Sequence, residues 1–422
     1  MSLIDYLQDD RYWEETYRRM CEKDNFKKEQ VQELIMLHLH DFKNEAIKLI
    51  KSGQYEWSIP EKHLLNKLGT SKKRVVYINS MRDRYLLGVL YRVCSEMFKS
   101  EISESCFSYK RGVRTLNAVE YLLEDRNIFT KHGVKLDISS YFNSVGKEYL
   151  EGVINELFSQ DAVAHKLMYD FFMTDRCKYN GKIIEEYKGL VPGCALSSFF
   201  ANYCLKDLDK HISDELGITY ARYSDDIVMF DDSREKLEEC LEIIKDKLKE
   251  CHLEINERKY EWFEPGDDIG FLGLRVFKDS DNITRIDINK NSFEKMKKKI
   301  KKSANYCRKQ VELNNRDPYV MAKSMFNRYN HRVFKCFIED KSKYGWAYYA
   351  FRYINTIESI QQIDYYLKDR VRQMITGKNN SANIRKVPDE KLRELGYVSL
   401  VDMYNLFIDD FDVYCEEIYL IR

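Results

Sequence analysis

The sequence predicts an α+β fold: a small, mostly antiparallel sheet with helices packed on one face, followed by a helical C-terminal third. Three observations predict it. Short β-prone runs alternate with helical stretches in the middle of the chain. Both flanks carry helical patterns. Only 5 Pro and 17 Gly in 422 residues leave little material for long linkers.

Residues 1 to about 60 read as charged helices, for example from Lys28 to Leu37. His38 and His40 fall on different faces of that stretch, so they are expected as surface or packing histidines. The basic patch Lys72-Lys73-Arg74 precedes a strand at Val75–Ile78, and a helix is expected from Arg84 to Phe98. Val134–Ile138 reads as a strand. Ile218–Tyr223 and Ile227–Phe230 read as two more, three residues apart. Between these regions a long helical stretch leads to a glycine-containing loop, Gly189–Gly193, and to a helix expected over Ala195–Leu208. Leu237, Leu241, Ile244 and Leu248 share one face of an amphipathic helix. From about residue 290 the pattern is mostly helical, opening with Lys295 to Lys302.

The 69 basic and 69 acidic residues cancel, so net charge alone does not point to nucleic acid; local patches decide that question. The 31 Tyr suit half-buried packing and, beside Lys or Arg, base stacking. Eleven Cys without a CxxC pair or a zinc-spaced Cys/His array read as reduced thiols. No basic and apolar leader opens the sequence and no apolar run approaches about 18 residues, so a cytoplasmic protein without membrane contact is expected.

Paired aspartates occur at Asp9-Asp10, Asp225-Asp226, Asp231-Asp232, Asp267-Asp268 and Asp409-Asp410. Most such pairs are solvated turns. Asp225-Asp226 differs because apolar, β-prone runs flank it on both sides, the pattern of a tight hairpin with carboxylates at its tip. Phe407–Phe411 is a partial rival. Asp137 ends the apolar strand around Leu136, where a charge is costly without a partner or a metal. Three carboxylates on neighbouring strands can hold two Mg²⁺ ions about 3.5–4 Å apart for phosphoryl transfer. On these grounds alone a metal site and a structural hairpin both stay open.

The same residues carry a family pattern. Val134 to Phe142 resembles motif A of reverse transcriptases, and Gly189 to Asn202 resembles motif B. Tyr220-Ala221-Arg222-Tyr223-Ser224-Asp225-Asp226 is similar to the Y-x-D-D motif C, Leu253 to Lys259 to motif D, and Phe271-Leu272-Gly273 to the palm-to-thumb junction. Lys72-Lys73-Arg74 and Phe107 to Arg114 look like fingers motifs. The match runs from about residue 60 to 280, in order. It departs in motif B, where Val191-Pro192 stands in place of Pro-Gln, and at Asn143, which often is acidic.

The resemblance implies a right-hand polymerase: a helical N-terminal extension (1–60), fingers and palm (61–284), a helical thumb (285–375) and a C-terminal helical region (376–422). It implies an RNA-directed DNA polymerase that takes an RNA template and dNTPs and makes a cDNA product. Asp137, Asp225 and Asp226 would be catalytic and, with Ile138, would ligate two Mg²⁺, with Mn²⁺ able to substitute. Lys72, Arg74, Ser139, Ser140, Tyr141, Phe142, Gly193 and Lys259 would line the dNTP site. Of these, Arg74 and Lys72 would grip the triphosphate, Phe142 would crowd a ribose 2′-hydroxyl, and Lys259 would lie near the leaving pyrophosphate. Arg114, Tyr223, Lys297, Lys298, Lys301 and Lys302 would contact nucleic acid.

The short layout resembles bacterial enzymes of the group II intron-like, unknown-group and abortive-infection lineage. Trp346 to Thr356 and Gly396 to Leu400 look like the C-terminal region of stand-alone defence-associated (type 2) reverse transcriptases. That resemblance implies a dedicated non-coding RNA template and antiphage defence. The alternatives are an abortive-infection or intron-type enzyme with template-independent or other synthesis, and a catalytically degenerate RNA-binding scaffold.

Overall fold

The computed structural model describes residues 2–22, 26–66, 73–334 and 345–410. Its first helices are Leu3–Leu7, Asp10–Cys21, Lys28–Leu39 and Phe42–Lys51. Ser2 and Asp9 cap the first two by accepting backbone N–H bonds, which satisfies donors the helices leave open. The first three pack on the helix Met81–Met97, whose Tyr85, Leu86, Val89, Leu90 and Val93 are buried. Trp13 meets Tyr85 edge-on, with ring centroids 5.3 Å apart. His38 stacks on Tyr17 at 4.0 Å and bonds the Tyr85 hydroxyl (3.0 Å), so it is the packing histidine expected.

The strands are β1 (Glu61–Asn66), β2 (Lys73–Ile78), β3 (His132–Asp137), β4 (Arg176–Tyr179), β5 (Lys182–Glu185), β6 (Thr219–Tyr223), β7 (Asp226–Asp231), β8 (Glu261–Phe263), β9 (Ile269–Phe271), β10 (Leu274–Lys278) and β11 (Thr284–Ile288). The α+β class holds. Among the described residues the strands form three sheets rather than one, ordered β2-β1-β4-β5, β6-β7-β3-β8 and β11-β10-β9. The β4–β5 hairpin interrupts what reads in the sequence as helix. Its two-residue turn is Asn180-Gly181, both at positive φ (50° and 77°), the backbone that a tight hairpin needs.

In the second of these sheets every neighbouring pair is antiparallel. Val134, Leu136, Ile227 and Met229 are buried in one core with Leu237, Leu241, Ile244 and Leu248 of the helix Arg234–Glu250, the face expected from the sequence. Gly133 pairs with Phe230 across β3 and β7, and a Cβ there would lie 2.3 Å from the Phe230 ring. The helix expected over Ala195–Leu208 is broken. It runs Leu196–Tyr203, leaves helical geometry at Leu205 (φ −115°, ψ 14°), resumes as Lys206–Lys210 and ends in a π-helical turn, His211–Glu215.

By contacts the chain divides into two compact units, Met1–Gly266 and Asp267–Arg422. The second unit holds β9–β11 and the helices Lys290–Asn314, Pro318–Val333, Trp346–Phe351, Glu358–Thr376, Asn383–Lys386, Asp389–Glu394 and Leu400–Asp409. Its core joins Met296, Ile300 and Cys307 to Ile360, Ile363 and Leu367. Buried Asp364 accepts the Leu400 and Val401 N–H groups (3.0 and 3.2 Å) and the Ser399 hydroxyl (3.0 Å), fixing the start of the helix Leu400–Asp409. Phe407 to Asp409 therefore closes a helix and forms no hairpin, while Phe411 lies outside the described residues. Among the described residues no helix is long and apolar enough to cross a membrane. The nine described cysteines are all free thiols.

Candidate active site

Strand pairing builds the site. Tyr223 pairs with Asp226, so Ser224 and Asp225 make a two-residue turn between β6 and β7. The sequence suggested a three-residue gap; Asp226 itself joins the ladder. Ser224 takes the turn position at φ 61°, and its hydroxyl bonds that of Tyr109 (3.1 Å). On the other side of β7, Asp137 is the register partner of Asp226, and the Ile138 N–H donates to the Asp225 carbonyl (2.8 Å). One end of the β6-β7-β3 ladder thus carries Asp137, Asp225 and Asp226.

These carboxylates crowd one another. Burial, then the charges of Asp225 and Asp137, push the Asp226 carboxyl up to about 6, against the pull of Lys259 and Lys135. Asp137 is 6% exposed. One of its oxygens takes the Lys259 ammonium, and the other takes the Asn256 side-chain amide (3.1 Å). The Asn256 N–H also donates to the Asp137 carbonyl (2.7 Å). Among the described residues no group of three or more His, Cys, Asp or Glu side chains is placed so as to hold a metal ion, and Asp137 is engaged by Lys259 and Asn256. The donor chemistry nevertheless fits a hard divalent cation: the groups are oxygen anions, and a cation among them would offset both the burial and the repulsion that raise Asp226.

The other residues singled out in the sequence take varied places. Phe142 is half-buried and meets Tyr109 edge-on at 6.0 Å. Its carbonyl accepts the Leu190 N–H (2.8 Å), and Gly189 packs so close that a Cβ would lie 2.3 Å from that carbonyl oxygen. Gly193 packs on the backbone of Tyr77, whose N–H donates to the Pro192 carbonyl (2.7 Å). The Ser139 N–H donates to the Glu254 carbonyl (2.8 Å), and Ser140 sits at φ 50° before the short helix Tyr141–Ser144. Tyr141 is a core residue whose hydroxyl donates to the Ala201 carbonyl. Ile138 is likewise buried, bridged to Ile255. Arg74 is exposed on β2, and its charge acts on the Tyr109 hydroxyl. Lys72 lies outside the described residues. Tyr223 is half-buried, and Arg114 is exposed at the start of the helix Thr115–Glu124. In the second unit Lys298, Lys301 and Lys302 are exposed while Met296 and Ile300 face inward. Lys297 differs: it bonds Glu294 (3.0 Å) and lies over the rings of Phe293 and Tyr366.

A family model described as "Reverse transcriptase (RNA-dependent DNA polymerase)" matches residues 59–276, more than half of the chain and all of the sheet that carries the three aspartates. The chain belongs to the reverse transcriptase family. Its fold is the right-hand polymerase fold of that family. Among solved structures it is similar to apo telomerase from Candida tropicalis truncated from its C-terminal domain, at 13% identity and TM-score 0.42 over 52% of this chain and 53% of that one. It is also similar to telomerase from Candida albicans in complex with a fragment of telomeric RNA, at 12% identity and TM-score 0.44 over 92% of this chain and 70% of that one. The chain thus spans about half the length of the first of these. No curated protein matches it.

Three residues that touch the aspartate ladder or its turn have no role among the expectations drawn from the sequence: Tyr109, Asn256 and Arg222. Each lies inside a stretch that carries a family motif, so a signal was present. Asp209, the buried partner of Arg222, lies outside those stretches.

Proposed function

We propose that the chain is an RNA-directed DNA polymerase that joins dNTPs to a primer 3′ end, with Asp137, Asp225 and Asp226 as its catalytic carboxylates. One observation carries the reading: Asp137 and Asp226 are register partners with Asp225 in the adjoining turn, which brings three acidic groups to one end of the ladder. These residues, with the Ile138 carbonyl, would hold two Mg²⁺ or Mn²⁺ ions. Bound there, the ions would activate the 3′-hydroxyl and neutralise charge on the triphosphate and the leaving pyrophosphate. Arg74, with Lys72, grips the triphosphate. Phe142, braced by Tyr109, crowds the sugar 2′ position. Lys298, Lys301 and Lys302 hold the template–product duplex by its phosphates.

Primer extension on an RNA template with Mg²⁺ tests this directly. The parent should extend with dNTPs, and the Asp225→Ala/Asp226→Ala variant should show no incorporation while keeping the parent's circular dichroism spectrum. Near-parental synthesis by the double variant would remove these aspartates from catalysis.

We also propose that the template is a dedicated non-coding RNA and that the role is antiphage defence. The resemblance of Trp346–Thr356 and Gly396–Leu400 to the C-terminal region of stand-alone defence enzymes supports this. Sequencing the RNA and cDNA that co-purify from cells, beside plaque counts with and without the chain, tests it. A heterogeneous RNA population and unchanged plaque counts would reject it.

A further inference from the structure

We infer that Arg222 and Asp209 form a buried positioning pair that fixes the turn carrying Asp225; this rests on the reading of Asp225 and Asp226 as catalytic ligands.

Both side chains are 0% exposed. A buried charge is costly, and its partner has to return most of that cost through close, well-aligned contacts. Here the contacts are bidentate: Arg222 Nε donates to Asp209 Oδ1 (2.7 Å) and Nη2 to Oδ2 (2.5 Å). The Tyr220 hydroxyl adds a third bond to Asp209 Oδ1 (2.8 Å). The remaining guanidinium donors do not point to solvent. Nη1 reaches the Ser224 carbonyl and Nη2 the Asn202 carbonyl, both at 3.3 Å.

The Ser224 contact is the informative one. Ser224 stands at φ 61°, and its carbonyl belongs to the peptide plane that leads into Asp225. Holding that oxygen holds the plane, and so the direction in which the Asp225 side chain leaves the turn. The backbone of Arg222 is clamped as well: its N–H donates to the Ser105 carbonyl (2.9 Å) and its carbonyl accepts the Phe107 N–H (2.8 Å). Asn202 in turn exchanges two bonds with Ser108, from Ser108 Oγ (2.8 Å) and to its carbonyl (2.6 Å). Side chain and backbone together, Arg222 therefore ties the turn to the helix Lys206–Lys210 that supplies Asp209 and to the segment 105–108.

Stability alone does not call for this arrangement. A buried ion pair replaced by apolar side chains of similar volume commonly leaves a protein equally stable or more so. An apolar pair cannot hold the Ser224 carbonyl. The test uses that difference.

The variant Arg222→Met/Asp209→Leu/Tyr220→Phe removes both charges and the hydroxyl that would lose its acceptor. It should melt within about 3 °C of the parent. Its kcat for primer extension should fall about tenfold or more, with KM for dNTP nearly unchanged, because misplacing a catalytic group weakens the chemical step. Its affinity for Mn²⁺ without substrate, read by electron paramagnetic resonance of the free ion, should fall too. Arg222→Lys keeps the charge but lacks the planar fork, and should fold while losing kcat. A folded triple variant with parental kcat and Mn²⁺ affinity would overturn the proposal. So would a folded, fully active Arg222→Lys if the triple variant does not fold, or failure of both to fold, which would make the pair a folding element. Asp225→Ala/Asp226→Ala is measured alongside: if that variant is active, the underlying reading fails, whereas a dead control beside a parental triple variant fails the positioning role alone.

Discussion

Lys259 and a divalent cation would compete for one carboxylate, because the ammonium already lies on Asp137. The lysine side chain is 48% exposed, and such a pair is worth about 1 kcal/mol or less. Lys259→Met should therefore tighten Mn²⁺ binding by about two- to fivefold, the range that energy allows. Weaker or unchanged binding in a Mn²⁺ titration would mean that the ammonium does not compete. Phe142 gives a second outcome at this scale. Its backbone is pinned by Leu190 while its ring is half-buried against Tyr109, so Phe142→Val should open space without moving the main chain. Incorporation of rNTPs relative to dNTPs should rise in single-nucleotide kinetics, and an unchanged ratio would rule out Phe142 as the sugar filter. The aspartates were legible in the sequence because apolar, β-prone neighbours mark them as strand-end charges. Arg222 was not, since its partner is 13 positions away in the chain and only tertiary packing brings the two together.

At the scale of elements, the helix Lys290–Asn314 sorts its side chains as its spacing foretold, with Met296 and Ile300 inward and Lys298, Lys301 and Lys302 outward. Changing those three lysines to Gln should weaken duplex binding for every sequence alike and flatten the log–log salt slope by about 0.9 for each lost phosphate contact. A parental slope would move the duplex path elsewhere. Lys297 is left out because its ammonium is held by Glu294 and two rings. The loop before the helix Leu196–Tyr203 supplies another expectation. Gly189→Ala meets both a positive φ (58°) and the Phe142 carbonyl, so it should cost more than about 1 kcal/mol in urea unfolding. The β4–β5 hairpin carries a legible mark, since Asn-Gly is the strongest short-range hairpin signal, but a long helical pattern runs up to it and masks the short strands. The break at Leu205 has no comparable mark, because neither Gly nor Pro occurs between Leu196 and Lys210.

Across the whole molecule, each unit buries its own apolar core, and a pH effect can be assigned to one of them. Burial of Asp364 raises its carboxyl from 3.8 to about 6, despite the N–H and hydroxyl bonds it accepts. Below pH 3.8 both folded and unfolded forms hold the proton. Between 3.8 and about 6 only the folded form does, so stability falls as pH rises, and above about 6 the fall is complete. The difference amounts to about 3 kcal/mol, which Asp364→Asn should remove. Hydrogen exchange in the helix Glu358–Thr376 between pH 4 and 7 reads this, and equal slopes in parent and variant would contradict it.

Gly133 has a consequence for how faithfully the chain assembles. Side chains alternate along a strand, so a slip of one residue between β3 and β7 would send Asp137 opposite a different neighbour and turn an apolar face to water. Phe230 covers the spot where any other residue at 133 would project a Cβ, and glycine occurs only once in β3. A featureless position at one end of the ladder thus acts as a key. It favours the pairing that seats Gly133 under Phe230, and in that pairing the far end brings Asp137 opposite Asp226.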